Sequence, residues 1–457
     1  MFSLTNLAVS RLICQNSMAK EYSSSFSTHL QKHMPTPTFA VHSALALKRP
    51  IFWSNPIHNG IAPAHYEPLV AAAIERLHRF APLLAASFDT LKPHGGHICS
   101  QLLPVLQPEQ LISSSDLLEH KAILIKADHM LAGSGSIKAR GAANAVLEIM
   151  EQIALAKGIS DVTRDANSHL RSILAEHEIS VGSTGNLGLA IGAFAKALGF
   201  KAVVHMSAEA KAWKKEMLRQ LGAHVVEHTG DYTQALAAAR NNTRSQNQHF
   251  IDDEDSESLL LGYATAATEL AKQLDFAGIE VSERSPLFVY LPCGVGGAPT
   301  GIALGLALLF ESNVHCFYAE PIEAPCMILE MTRRGTSADS VHEIGLSGKT
   351  IADGLAVAKA SLLAAQLSRT IMAGGYTVSD ETMLNDLRKA HQTQNLQLEP
   401  SAAAGIDGVR QLAGRLGKIY LEERGLQVEM AHITHVVWTT GGSMMPKHEF
   451  QNYLGPT

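Results

Sequence analysis

The chain has 457 residues, 46% of them apolar and 18% charged, with a formal net charge of −6. That length calls for two domains, or for one large α/β domain with an inserted lobe. Mixed charge signs, apolar runs too short to span a bilayer and five cysteines without a CxxC pair exclude a nucleic-acid footprint, a membrane partner and a disulfide framework, and fit the reducing cytoplasm.

Residues 1–40 are rich in serine and set Arg11, Lys20 and Lys32 against one acid, Glu21. They read as a poorly ordered extension, a targeting segment, or a stretch ahead of a later start at Met18 or Met34. Trp53-Ser54-Asn55-Pro56 reads as a turn. Val70, Ala73, Ile74, Leu77 and Phe80 have helical spacing. His94 and His97 flank two glycines, but no third ligand stands near, so a plain loop is expected. Residues 122–125 read as a buried strand and 142–157 as a helix. Between them lies Ser134-Gly135-Ser136-Ile137-Lys138-Ala139-Arg140-Gly141. A lysine amine becomes a nucleophile when desolvation or a nearby cation lowers its pKa. A solvated surface lysine is the plainer alternative.

A regular rhythm follows. Strands are expected at 178–181, 202–206, 224–227, 249–251, 287–291 and 315–319, and helices at 189–198, 208–221, 232–240, 259–274 and 301–310. A small-residue helix opens over 399–405, and a last buried strand covers 435–438. Repeated strand–loop–helix units indicate a parallel sheet faced by helices, with ligands at the carboxyl ends of its strands.

Several distinctive loops lie at such ends. Residues 294–297 hold three glycines before a helix, as a phosphate cup requires. The dinucleotide spacing fails because position 299 is proline, and the Walker ending is absent. Close strand–helix packing is the alternative. In Gly182-Ser183-Thr184-Gly185-Asn186-Leu187-Gly188, the hydroxyls either cap a helix or grip a substrate carboxylate, and the Asn186 amide suits a cofactor oxygen. Asp252-Asp253 and Thr440, at two further strand ends, also have ordinary solvated or structural readings.

Together with Cys316-Phe317-Tyr318-Ala319-Glu320-Pro321 and Ala352-Asp353-Gly354-Leu355-Ala356-Val357, these blocks stand in an order that resembles the pyridoxal-phosphate enzymes of the tryptophan-synthase-β (fold type II) group. The nearest branch is the bacterial lyases that dehydrate D-serine. The resemblance covers roughly residues 40–450. It implies a two-domain α/β fold of open, mostly parallel twisted sheets flanked by helices. Residues 41–120 would pack on the large domain, 121–226 form the small domain, and 227–457 form the large, cofactor-binding one.

The resemblance also implies roles. Lys138 matches the lysine in Schiff-base linkage with pyridoxal 5'-phosphate and is the expected base at Cα. Gly294, Val295, Gly296, Gly297 and Ala298 match the phosphate cup. Asn186 matches the partner of the pyridine hydroxyl oxygen, and Thr440 that of the ring nitrogen. Ser183, Thr184 and Gly185 match the carboxylate loop. Asp253 and Thr184 match groups near the leaving hydroxyl. Glu320, Ala324 and Cys326 are spaced like a potassium or sodium site. The implied reaction converts D-serine, with D-threonine as a further substrate, to a keto acid and ammonia in a monomeric enzyme. Ala298-Pro299-Thr300 and Ser443 depart from the family's glycines. Two rivals stay open: a lyase for L-serine or L-threonine, and a non-catalytic cofactor carrier.

Overall fold

The structure, a computed structural model, describes residues 38–112, 122–159, 169–183, 185–229, 240, 245–333, 340–426 and 431–455. Expectations for 1–37, for the helix at 232–239, for Thr184 and for Cys14 lie outside the described residues. In chain order the strands are β1 (Phe52–Ser54), β2 (Leu102–Pro104), β3 (Ala122–Lys126), β4 (Glu178–Gly182), β5 (Lys201–Ser207), β6 (His224–His228), β7 (Gln248–Ile251), β8 (Leu287–Pro292), β9 (Val314–Pro321), β10 (Met372–Val378) and β11 (Thr434–Trp438). The helices used below are α1 (Lys138–Ala156), α2 (Asn186–Leu198), α3 (Ala212–Gln220), α4 (Glu257–Ala264), α5 (Ala266–Phe276), α6 (Gly297–Phe310) and α7 (Cys326–Met331).

Two sheets organise these elements. The larger has the order β1-β10-β9-β8-β11-β3-β2, and the smaller has the order β6-β5-β4-β7. All pairs in the smaller sheet are parallel, as are the five central strands of the larger; only the edges β1 and β2 run antiparallel. Every residue of β8, β9, β10 and β11 is buried. Continuous apolar strands follow from a parallel sheet covered on both faces. The α/β class and the mostly parallel sheets agree with the sequence reading.

The sheets divide the chain differently from the expected 121–226 and 227–457 parts. β3 joins the larger sheet beside β11, with Ile125 opposite Val437. β7 closes the smaller one, with Ile251 opposite Val181. Local pattern marks a strand but not its distant partner. The turn expected at Trp53 is instead the edge strand β1, and the chain bends after it at Asn55, whose side chain donates to the Met372 carbonyl at 2.7 Å. The helix expected over 208–221 starts at Ala212, because the Ala208 amide still pairs with the His228 carbonyl of the neighbouring strand. The helix expected over 259–274 is divided at Thr265, whose hydroxyl donates to the Gly262 carbonyl at 2.7 Å. Among the described residues no helix is long and apolar enough to cross a membrane.

Candidate active site

The lysine stretch folds against the end of β11. Ser136 bridges to Gly441, and the Ile137 amide donates to the Thr440 carbonyl at 2.8 Å. Backbone pairing therefore sets Lys138, the first residue of α1, beside Thr440. Gly135 has φ 58°, and a Cβ there would lie 2.5 Å from the Met444 side chain. Gly141, one turn into α1, leaves room for a buried ring: a Cβ there would lie 2.5 Å from Tyr263 Cζ. Arg140 grips Asp128 through two bonds of 2.7 Å and Glu269 through one of 2.8 Å. Trp438 Nε1 donates to the same Asp128 at 2.9 Å, so one buried charge network ties α1 to β11.

Lys138 Nζ lies 3.1 and 3.2 Å from the two oxygens of Asp253. Burial alone would lower the Lys138 pKa, but Asp253 and Tyr263 outweigh it and hold the pKa above the ordinary lysine value. The lowered pKa expected from the sequence is therefore corrected: the carboxylate keeps the amine charged. The acidic pair after β7 divides its work. Asp252 is bound by Arg240 at 2.6 Å, whereas Asp253 meets the lysine.

β8 leads through Cys293 into the glycine loop, and α6 starts at Gly297 without a side-chain cap. The first-turn amides of such a helix are open to an anion. Gly296 has φ 108°, and a Cβ on it would lie 2.6 Å from Met327 Sδ. On Gly297 the nearest atom to a Cβ would be the Asp253 carbonyl oxygen at 3.6 Å, so the cup is roomy there. Pro299 falls in the first turn, where no intrahelical bond is lost. Thr300 joins buried hydroxyls, 2.6 Å from Tyr318 and 3.1 Å from Ser368. The Ala298-Pro299-Thr300 departure is thus accommodated by the helix start. Ser443 is exposed and its amide donates to the His129 carbonyl.

Asn186, at the start of α2, donates through Nδ2 to Glu399 at 2.9 Å. Ser183 Oγ accepts from the Gly185 and Gly188 amides, both at 2.9 Å. It therefore caps α2, and its hydroxyl hydrogen is what it can offer a ligand. Glu320 accepts from the Met327 and Ile328 amides, both at 2.8 Å, at the start of α7. Cys326 Sγ donates to the Gly294 carbonyl at 3.2 Å, and Ala324 is fully buried. Burial pushes the Glu320 pKa up to about 8, against the pull of those amide donors.

One cleft gathers these parts. Lys138, Ser183, Asn186, Asp253, Gly294, Val295, Gly296, Gly297, Ala298 and Thr440 all line it, with Gly354, Leu355 and Ser401 on a further wall. It opens to solvent on one side. Gly185 and the Glu320 group are not part of its lining. The sequence reading missed Glu399, Tyr263, Asp353 and Lys214. Asp353 lay in a matched block without a role, and Glu399 opened a recognised helix; Lys214 and Tyr263 carried no local signal. An uncapped glycine-lined helix start for a phosphate, and an amine, an amide and a hydroxyl within the same cleft, fit pyridoxal phosphate.

Residues 104–419 match the family model described as "Pyridoxal-phosphate dependent enzyme". A "Probable D-serine dehydratase" of Acidovorax sp. (strain JS42) is 44% identical, over 93% of this chain and 96% of that protein. One of Burkholderia thailandensis, with the same description, is 46% identical over 88% and 91%. Among solved structures, diaminopropionate ammonia lyase from Escherichia coli in complex with D-serine superposes with a TM-score of 0.69 at 18% identity, covering 89% of this chain and 97% of that one. That likeness bears on the fold. The chain belongs to the pyridoxal-phosphate dependent enzymes, in the family of the D-serine dehydratases.

Proposed function

We propose that the chain removes water from D-serine to give pyruvate and ammonia. The observation that carries this reading is the convergence of Lys138, Asn186, Asp253, the glycine loop and Thr440 on one cleft, together with the relatives named for D-serine dehydration. Lys138 would hold pyridoxal phosphate through its aldehyde carbon, the amides of 295–298 its phosphate, Asn186 its phenolic oxygen and Thr440 its ring nitrogen. Bound there, the cofactor supplies an electron sink that acidifies the Cα proton of a joined amino acid.

The chain's own groups then act on protons. Lys138, released as a free amine, takes the proton from Cα. That proton is then passed to the departing hydroxyl, which leaves as water, while Asp253, 3.1 Å from Nζ, steadies the charged amine beside the leaving oxygen. Ser183 and Gly185, with Thr184, would hold the substrate carboxylate. The water eliminated is returned when the released enamine hydrolyses, so the net products are pyruvate and ammonia. D-Threonine differs from D-serine by one methyl and falls in the same class. The free thiols Cys99, Cys293, Cys316 and Cys326 suit a reducing compartment.

Pyruvate release from each serine enantiomer tests the reading. D-Serine should exceed L-serine by roughly 100-fold in kcat/KM, since a built polar site separates substrates strongly. Equal rates, or preference for L-serine, would contradict it.

A second reading concerns Glu320. Among the described residues no basic side chain pairs with this buried carboxylate. A potassium or sodium ion held by Glu320 and backbone oxygens near Ala324 and Cys326 would restore its charge. Without an ion, the folded pKa of about 8 exceeds the ordinary 4.5. The folded state then binds the extra proton, and stability falls as pH rises between those values. Melting temperatures in a bulky organic cation should show that fall, and potassium should suppress it. Matching profiles in both salts would remove the ion.

A further inference from the structure

Lys214 lies on α3 of the smaller sheet, with its side chain 2% exposed. Lysines are rarely buried so fully without a specific partner. Its stem runs directly beneath the carboxylate loop: a Cβ on Gly185 would lie 2.3 Å from Lys214 Cδ. Its ammonium is 3.0 Å from Asp353 Oδ2 and 3.5 Å from Glu399 Oε2. That same Glu399 oxygen accepts the Asn186 amide at 2.9 Å, and the Glu399 backbone amide donates to the Gly441 carbonyl at 3.0 Å, next to Thr440. Asp353 Oδ1 accepts the amide of Gly354, a cleft residue, at 3.0 Å.

We infer that Lys214 is a positioning residue for the reaction: its buried ammonium fastens Gly185 and Asn186 to Asp353 and Glu399 beside the larger sheet, and so sets the spacing of the two sides of the cleft. Both carboxylates belong to segments that line the cleft or adjoin Thr440, while the stem packs under Gly185, next to the cleft residue Asn186. Glu399 fixes which end of the Asn186 amide points inward, because its oxygen must face Nδ2 and not Oδ1. Burial alone would lower the Lys214 pKa; the Asp353 and Glu399 carboxylates outweigh it and keep the ammonium charged. The inference rests on the proposed roles of Asn186 and the 183–185 loop.

Hydrogen exchange and steady-state kinetics of the holoenzyme test it in Lys214→Met, which keeps an unbranched stem, and Lys214→Arg, which keeps the charge. In Lys214→Met, amides of 185–189 and 352–356 should exchange roughly tenfold faster or more, those of 287–292 should stay unchanged, and KM for D-serine should rise more than kcat falls. Lys214→Arg should recover part of both effects. Should the lysine variants fail to fold, Glu399→Gln and Asp353→Asn each weaken one end and should loosen the same two segments. Exchange unchanged in those segments, or raised equally in 287–292, would overturn the inference. If the wild type spares D-serine, the proposed function fails, while the exchange data still decide the fastening.

Discussion

Lys138 and Asp253 form an ion pair in the cleft, and the pair sets a proton requirement. Because Asp253 raises the lysine pKa, less free amine is present at neutral pH. Loading of apoprotein with pyridoxal phosphate, followed by absorbance, should accelerate about tenfold per pH unit below that pKa. Asp253→Asn should move the whole profile to lower pH, and a profile that stays in place would refute the pairing. Thr440 argues for elimination in a different way. In the proposed arrangement a neutral hydroxyl would stabilise a protonated ring nitrogen less than a carboxylate would, which would favour loss of the β-hydroxyl over a long-lived charge at Cα. Thr440→Asp should raise racemisation and transamination relative to pyruvate, and an unaltered product ratio would speak against the role. At this scale the cleft groups Lys138, Asn186, Asp253 and Thr440 were legible because each sits in a loop of unusual composition at a strand end. Glu399, Lys214 and Tyr263 were not. Glu399 meets Asn186 across 213 residues, and Lys214 meets Asp353 across 139; such pairs exist only once the sheets have formed.

The elements hold these residues through close backbone approach. Gly301 and Gly305 face α4 from α6, where a Cβ would lie 2.4 Å from the Leu260 carbonyl oxygen and 2.2 Å from that of Ala264. Gly305→Ala should therefore cost about 1–3 kcal/mol in chemical denaturation and disturb the helix that carries the glycine loop; a neutral effect would mean the helices can part freely. Asp128→Asn should cost more, about 3–5 kcal/mol, by leaving the Arg140 charge without its bidentate partner. The same close packing explains why β10 escaped the sequence reading. Its centre is Gly374-Gly375, a pair that reads as a break. A Cβ on Gly374 would lie 2.1 Å from the Trp53 carbonyl oxygen, so the edge strand β1 demands glycine there. The buried apolar strands β8, β9 and β11 had no such interruption and were legible at once.

For the whole molecule, the chain's order and its spatial order differ, and the cleft depends on that difference. Lys138 follows β3 and Thr440 follows β11, neighbours in the larger sheet that lie some three hundred residues apart, while Asn186 and Asp253 follow β4 and β7, neighbours in the smaller one. Buried histidines give this assembly an acid limit. Burial lowers the pKa of both His58 and His129 to about 4, below the ordinary 6.5. The unfolded chain then binds more protons between those values, so the stability these two groups contribute is full above pH 6.5 and is lost as pH falls toward 4, on the order of 3 kcal/mol for each group. Calorimetry from neutral pH downward should show that decline, and His58→Phe should reduce its slope by about one proton; an equal slope would assign the loss elsewhere. The central claim is that these separated loops converge to put the cofactor on Lys138. Borohydride reduction of the holoenzyme, followed by digestion and peptide mass analysis, tests it most directly. The pyridoxyl group should appear on the peptide carrying Lys138 and vanish in Lys138→Ala. Its recovery on Lys126, Lys214 or any other lysine of the wild type would contradict the account.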